Sequence, residues 1–232
     1  MIGRGGLEEY YDQWLRGEDG RKIIEVGVDE VVIRELGEKE PSPGQELIVS
    51  LDLDWQKAAW EALGEKKGAV VILNPEDGSV LGLVSKPSYD PNLFTINRDG
   101  ESVGGILVDS QLPMLNRAIG GVYPPGSTFK MITASAGLEE GKIDANKQVE
   151  DTGVIKVGEW SYANWYWTDY GRTEGMVNLV KAIQRSNDIY FYKLGERVGP
   201  NTLSKWSKLF GLGSKTGIDL PGEVAGLVPN PE

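Results

Sequence analysis

The chain has 232 residues, of which 40% are hydrophobic and 25% charged, which is typical of a globular protein of one or two domains. It contains no cysteine and no histidine, so disulfides, thiolate nucleophiles, a Ser-His-Asp triad and metal sites built on Cys or His are excluded. Its net charge of −11, without a basic cluster, argues against nucleic acid as a ligand.

The first fifty residues have a character of their own. Apolar residues at helical spacing predict a short amphipathic helix over residues 7–15. Two β-branched runs, 23–28 and 31–36, predict a hairpin. A Pro- and Gly-rich linker at 41–44 and a short strand at 47–51 complete this region.

Helices and strands alternate after residue 51. We predict a helix over 55–63, capped by Asp52 or Asp54 and ended by Gly64. A hairpin of strands 68–73 and 79–85 follows, and then an irregular loop over 87–105. The remaining predicted elements are a helix at 127–139, a hairpin within 149–157, an aromatic loop at 160–170, helices at 177–183, 189–198 and 201–210, and coil at 222–232. The longest apolar stretches, 69–73 and 105–108, are too short to span a bilayer.

Ser127 and Lys130 form an S-x-x-K pattern at the start of a predicted helix. Positions i and i+3 share a helix face, so we expect the Lys130 amine to lie beside the Ser127 hydroxyl. Serine is a weak nucleophile until a base takes its proton, and lysine is a candidate base in a chain without histidine. The pattern is common by chance, and the alternative is a helix-capping serine followed by a surface lysine.

Ser186 and Asp188 form a second candidate pair between two predicted helices. The hydroxyl could carry protons near Lys130, and the carboxylate could position the amine or a substrate amide. Ser, Asn and Asp are also the usual N-cap residues, so simple capping of the next helix is the alternative.

Taken with their surroundings, the two patterns resemble the active-site segments of class B penicillin-binding proteins. The segment around the nucleophile reads Gly-Gly-Val-Tyr-Pro-Pro-Gly-Ser-Thr-Phe-Lys over residues 120–130, and the second reads Arg-Ser-Asn-Asp-Ile-Tyr-Phe-Tyr over 185–192. Residues 211–223, 6–12 and 51–56 are similar to further segments of the elongation-type members, the penicillin-binding protein 2 group.

The resemblance implies a peptidoglycan D,D-transpeptidase that acts through a serine acyl-enzyme and is acylated by β-lactams. Ser127 would be the nucleophile, Lys130 its base, and Ser186 and Asp188 the second motif. The implied fold is the α/β (α+β) transpeptidase fold, with an antiparallel sheet flanked by helices, of which residues 51–232 would form the N-terminal part. Residues 1–50 would be the remnant of a β-rich pedestal. A RodA-like glycan polymerase of the SEDS type is the implied partner, and a single-pass anchor in the bacterial membrane the implied location.

Three departures from the family pattern matter. Asp188 stands where many members have asparagine, which we attribute to the elongation subtype. Lys215-Thr216-Gly217 matches the third motif in sequence but comes too soon after Ser186, so we expect the true motif beyond Glu232 and an inactive isolated chain. Some elongation-type members hold zinc through His and Cys, which this chain lacks, so we expect no metal and no cofactor.

Two other functions remain open from the residues. The aromatic residues of 160–170 could form a sugar-stacking platform in a non-catalytic cell-wall module, although packing beside the second motif is the simpler interpretation. A serine β-lactamase-like hydrolase would use the same nucleophile but needs a water-activating group and no pedestal.

Overall fold

The computed structural model of the protein describes residues 3–28, 31–94 and 100–230. The chain divides into two compact units. The first unit contains residues 1–121 and 217–224, and the second contains residues 122–216 and 225–232. Helices and antiparallel strand pairs alternate in both, which confirms the mixed α+β class.

The first unit opens with two short helices and a hairpin: α1 (Gly6–Tyr10), α2 (Asp12–Leu15), β1 (Arg21–Val26) and β2 (Val32–Lys39). The helix predicted over 7–15 is thus interrupted at Tyr11, which ends α1 and precedes α2. The predicted hairpin is confirmed, with Arg21 opposite Lys39 in the antiparallel register. Residues 29 and 30 of its turn lie outside the described residues.

The strand predicted at 47–51 is wrong, because no ladder forms in this segment. The next helix, α3 (Leu53–Leu63), is capped by Asp52, whose Oδ1 accepts from the backbone N–H groups of Asp54 and Trp55 at 2.9 and 3.0 Å. The helix ends at Gly64 with φ +54°, as the sequence predicts.

The central hairpin of this unit pairs β3 (Gly68–Leu73) with β4 (Val80–Lys86). Gln56 joins α3 to it: its amide donates to Leu83 O at 2.8 Å and accepts from Leu83 N at 2.7 Å. The loop predicted over 87–105 is wrong, because a 3₁₀ turn at Pro91–Phe94 and helix α4 (Gly100–Val108) occupy part of it. Residues 95–99 lie outside the described residues, and α5 (Arg117–Gly120) ends this part of the unit.

Within its described residues, the second unit contains three helices of ten or eleven residues. Its elements in chain order are a 3₁₀ turn (Gly126–Phe129), α6 (Lys130–Glu139), β5 (Val149–Asp151), β6 (Val154–Val157), β7 (Trp160–Ala163), α7 (Trp165–Tyr170), β8 (Gly175–Val177), α8 (Leu179–Gln184), α9 (Asp188–Val198) and α10 (Pro200–Leu209). The helices predicted at 189–198 and 201–210 are confirmed within one residue at each end.

The second unit corrects three sequence predictions. The hairpin predicted within 149–157 does not form, since β5 pairs with β8 and β6 pairs with β7. The aromatic loop predicted at 160–170 consists instead of β7 and α7. The start of the helix predicted at 177–183 is likewise taken by the end of β8.

The core of the second unit lies where α6 packs against α9 and α10. Gly137 permits the close approach of α6 and α9, because a Cβ built there would lie 2.8 Å from Leu194 Cδ1 and 3.2 Å from Ile143 Cγ2. This packing fixes the start of α6 relative to the start of α9. In the described ranges, no helix combines the length and apolarity that crossing a bilayer requires.

Candidate active site

The four residues selected from the sequence meet at the N-terminal ends of α6 and α9. Ser127 is exposed in the 3₁₀ turn, and Lys130 is the first residue of α6. Ser186 precedes α9, whose first residue is Asp188. Although 59 positions separate the two serines, their hydroxyls are 3.0 Å apart.

A continuous chain of hydrogen bonds joins these side chains. Lys130 Nζ donates to Ser186 Oγ at 3.0 Å, and Ser186 Oγ donates to Ser127 Oγ at 3.0 Å. The S-x-x-K spacing predicts direct proximity of amine and nucleophile. In the described residues, however, no hydrogen bond joins Lys130 to Ser127, and Ser186 forms the link.

Lys130 is held on three sides. Besides Ser186 Oγ, its Nζ donates to Ser186 O at 2.7 Å and to Asp188 Oδ1 at 2.6 Å. The lysine and aspartate side chains are only 14% and 23% exposed, so the ion pair is shielded from water. Three acceptors match the three protons of an ammonium group. A neutral amine has two protons for these three acceptors, so a lysine that acts as a base donates to only two of them.

Backbone conformation directs both serines into this chain. Ser186 has φ +50°, a left-handed conformation that is uncommon for residues other than glycine. Such strain costs about 1–3 kcal/mol and persists only where the surroundings enforce it. Gly126, just before Ser127, has φ +55°, and as a glycine it adopts this conformation without strain.

Aromatic residues cover one side of the second motif. The backbone N–H of Trp165 donates to Asp188 Oδ2 at 3.3 Å, and its indole N–H donates to Arg185 O at 2.8 Å. The Arg185 guanidinium lies 5.1 Å from the Trp165 ring and 5.3 Å from the Tyr166 ring. These two aromatics pack beside the motif, whereas Trp160 is 73% exposed.

Tyr192 adds a second aromatic contact close to this site. Its ring lies 5.6 Å from that of Tyr162. Burial, and to a smaller extent the negative charge of Asp188, raise the pKa of the Tyr192 phenol. The phenol therefore stays neutral at physiological pH and remains a possible hydrogen-bond donor.

A buried polar group behind Asp188 was not predicted from the sequence. Asp151, Asn164 and Asn187 are 2%, 0% and 0% exposed and are joined to one another by hydrogen bonds. The Asp-Thr-Gly pattern at 151–153 could have indicated an Asx turn. Nothing in the local sequence, however, indicates that residues 13 and 36 positions downstream contact the same carboxylate.

Residues 215–217, the early match to a third motif, lie in coil after α10 and not on a strand. No group of three or more acidic side chains among the described residues is placed to hold a metal ion.

Two family models match the chain. Residues 68–232 match the penicillin binding protein transpeptidase domain, and residues 1–49 match the penicillin-binding protein dimerisation domain. The first match covers more than half of the chain, so the chain belongs to the penicillin-binding protein transpeptidase family.

A curated relative supports the same assignment. The peptidoglycan D,D-transpeptidase MrdA of Acinetobacter baumannii is 39% identical over 232 residues, which is 100% of this chain but 34% of the relative. The chain thus spans about a third of the length of the curated relatives it matches. The relative's name agrees with the transpeptidase hypothesis and not with the two alternatives.

Solved structures confirm the fold. Pseudomonas aeruginosa penicillin-binding protein 2 in complex with WCK 5153 is 36% identical, with a TM-score of 0.80 over 99% of this chain and 47% of that one. The Helicobacter pylori protein in complex with MreC is 34% identical, with a TM-score of 0.83 over 99% of this chain and 42% of that one. A third, described as a peptidoglycan synthase complex that coordinates polymerization and crosslinking, is 34% identical, with a TM-score of 0.83 over 97% of this chain and 42% of that one.

Proposed function

We propose that this chain carries the nucleophile and the second motif of a serine D,D-transpeptidase that crosslinks peptidoglycan stem peptides and is acylated by β-lactams. The hydrogen-bonded chain from Ser127 through Ser186 to Lys130 carries the proposal. It supplies an exposed nucleophile with a route for its proton in a sequence without histidine. The MrdA relative is named for this reaction.

The proposed reaction has two steps. Ser127 Oγ attacks the carbonyl carbon of the penultimate D-Ala, an acyl-enzyme ester forms, and the terminal D-Ala leaves with a proton. The amine of a neighbouring stem peptide then attacks the ester, the peptide crosslink forms, and Ser127 recovers its proton.

Proton movement in this mechanism depends on Ser186. For Ser127 to pass its proton along the chain, the two hydroxyls rotate, and Lys130 accepts the proton as a neutral amine whose third proton has first passed to solvent. Asp188 Oδ1 accepts a hydrogen bond from the amine and keeps it within reach of Ser186. General acid–base assistance of this kind contributes roughly 10²–10⁴ in rate.

The remaining assignments are proposals of the same kind. Residues 1–50 belong to a pedestal, and residues 51–232 to the transpeptidase domain, as the two family matches suggest. The whole protein is anchored in the bacterial membrane with its catalytic domain outside, and it works with a RodA-like glycan polymerase. A similar protein in a complex that coordinates polymerization and crosslinking supports this last proposal.

Covalent labelling by a fluorescent penicillin tests the function in the full-length gene product that contains this chain. Ser127→Ala abolishes labelling and leaves the melting temperature nearly unchanged, because the side chain is small and exposed. Lys130→Ala also abolishes labelling. Ser135→Ala is the matched control, because Ser135 lies on α6 and, among the described residues, its hydroxyl bonds only Met131 O of the same helix. Labelling that survives in Ser127→Ala refutes the nucleophile, and full labelling of Lys130→Ala refutes the base.

A further inference from the structure

The buried carboxylate of Asp151 accepts four hydrogen bonds, all from N–H groups. Oδ1 accepts from Gly153 N at 2.8 Å, and Oδ2 accepts from Glu174 N at 2.9 Å, Asn187 Nδ2 at 2.9 Å and Asn164 Nδ2 at 3.0 Å. A buried anion is tolerated only where such donors replace its water. An ionised carboxylate has no donor of its own, so it accepts at both oxygens.

This carboxylate fixes the orientation of two asparagine amides. Because the NH₂ groups of Asn164 and Asn187 point at Asp151, their carbonyl oxygens point away from it. Asn164 Oδ1 accepts from the backbone N–H of Asp188 at 3.1 Å. Asn187 Oδ1 accepts from the backbone N–H of Tyr190 at 2.9 Å and so caps α9.

The side-chain oxygens of Asn164 and Asn187 thus both bind backbone N–H groups in the first turn of α9, where the second motif lies. Asp188 is the first residue of that turn, and Ser186 lies two residues before it in its left-handed conformation. A shift of this turn moves Ser186 and Asp188 relative to Lys130, since all three acceptors of Lys130 Nζ belong to these two residues.

We propose that Asp151 is a positioning residue for the acyl-transfer reaction. It orients Asn164 and Asn187, and through them it places Ser186 and Asp188 against Lys130. This role rests on the proposed transpeptidase function.

Asp144 offers a comparison within the same unit. Its Oδ1 accepts from Asn146 N at 2.8 Å in a local turn of the same kind, but the side chain is exposed. Asp151 differs from it through burial and through the two asparagine contacts with the start of α9. Asp144→Asn is therefore the control for the loss of a turn-forming carboxylate.

The experiment is a double-mutant cycle in the full-length gene product, read as the rate constant of acylation by fluorescent penicillin. Asp151→Asn keeps the side-chain volume but replaces one acceptor oxygen with a donor, so at least one N–H faces another N–H. We expect a roughly 10- to 100-fold slower acylation, since misplacement by about 1 Å costs on the order of 10²-fold. In the Asp188→Asn background the same change should cost clearly less, because residues in one network are not additive. Asp144→Asn should acylate like the wild type.

Two results would overturn the role of Asp151: an unchanged rate constant, or the same loss factor in both backgrounds, which indicates a general structural effect. If Asp151→Asn shows no cooperative melt, Asn164→Ala replaces it in the cycle, because that change cuts the link and leaves the carboxylate in place. Labelling that persists in Ser127→Ala overturns the proposed function as well, whereas equal loss factors with Ser127-dependent labelling overturn only the positioning role.

Discussion

Ser186 combines an unfavourable backbone with a required hydroxyl, and two substitutions separate these properties. Ser186→Ala and Ser186→Gly both remove the oxygen that links Lys130 to Ser127. Only glycine also relieves the strain of φ +50°. The two variants should therefore lose the same activity and differ in stability.

The size of the stability difference follows from two opposing contributions. A left-handed conformation costs a residue with a Cβ about 1–2 kcal/mol, and glycine avoids this cost. Glycine loses about 0.5–1 kcal/mol more than alanine through the entropy of the unfolded chain. Ser186→Gly should thus be more stable than Ser186→Ala by about 0.5–1 kcal/mol. This corresponds to about 1–4 °C in melting temperature for a domain of this size.

Thermal melts and penicillin labelling of the two variants, made in the full-length gene product, measure both effects. Each should acylate roughly 10²–10⁴-fold more slowly than the wild type, the scale of general acid–base assistance. A Ser186→Ala variant more stable than Ser186→Gly by about 0.5–1 kcal/mol would show that the backbone at this position is unstrained. Near-normal labelling in either variant would refute the proton route through Ser186.

Three further predictions concern the second unit. Gly137→Ala should lower the free energy of unfolding in urea by about 1 kcal/mol, because overpacking against the buried side chain of Leu194 outweighs the gain in helix propensity. An unchanged urea midpoint would contradict the close packing. Tyr190→Phe should leave the melting temperature unchanged or raise it, since within the described residues the buried hydroxyl of Tyr190 has no hydrogen-bond partner; a clear loss of stability would reveal one. Hydrogen bonds from Lys205 and from the indole N–H of Trp206 hold the pKa of Glu140 below its ordinary value. The ionised carboxylate therefore stabilises the fold at neutral pH, and this stabilisation is lost as the pH falls through the lowered pKa. Glu140→Gln should have a lower melting temperature than the wild type at pH 7, and this difference should vanish at acidic pH. A difference in melting temperature that does not depend on pH would exclude this charge effect.

Local signals were sufficient where an element depends on its own residues. The helix α3 begins after Asp52 and ends at Gly64 because a capping carboxylate and a glycine act within a few positions of each other. The hairpin of β3 and β4 follows from a short turn between two apolar runs. These elements could be read from the sequence.

Long-range pairing limited the rest of the fold prediction. Strand β5 resembles the first half of a hairpin, yet its partner is β8, more than twenty residues later. The aromatic residues of β7 and α7 have the composition of a loop, but β7 is ordered by its pairing with β6 and the start of α7 by the contacts of Trp165 beside the second motif. Such contacts depend on which surfaces remain to be buried, and a short window of sequence does not contain this information.

In the candidate site, too, local patterns were predictable and long-range contacts were not. The S-x-x-K spacing and the Ser-Asn-Asp pattern identified all four side chains that the structure brings together. A proton-carrying role for Ser186 near Lys130 was predicted, but its place between Lys130 and Ser127 was not, because that depends on a left-handed residue before α9. Asp151 carries no local signal for its two asparagine contacts.

The site is split between two helices whose first residues lie 58 positions apart, and this has a consequence for the order of folding. Neither helix alone places the Lys130 amine next to Ser186, so the hydrogen-bonded chain to Ser127 forms only when α6 and α9 dock through the contact at Gly137. Loop closure over this distance comes late compared with the formation of single helices. In pulse-labelling during refolding, the appearance of penicillin adducts would therefore time the docking of these two helices and not the formation of secondary structure.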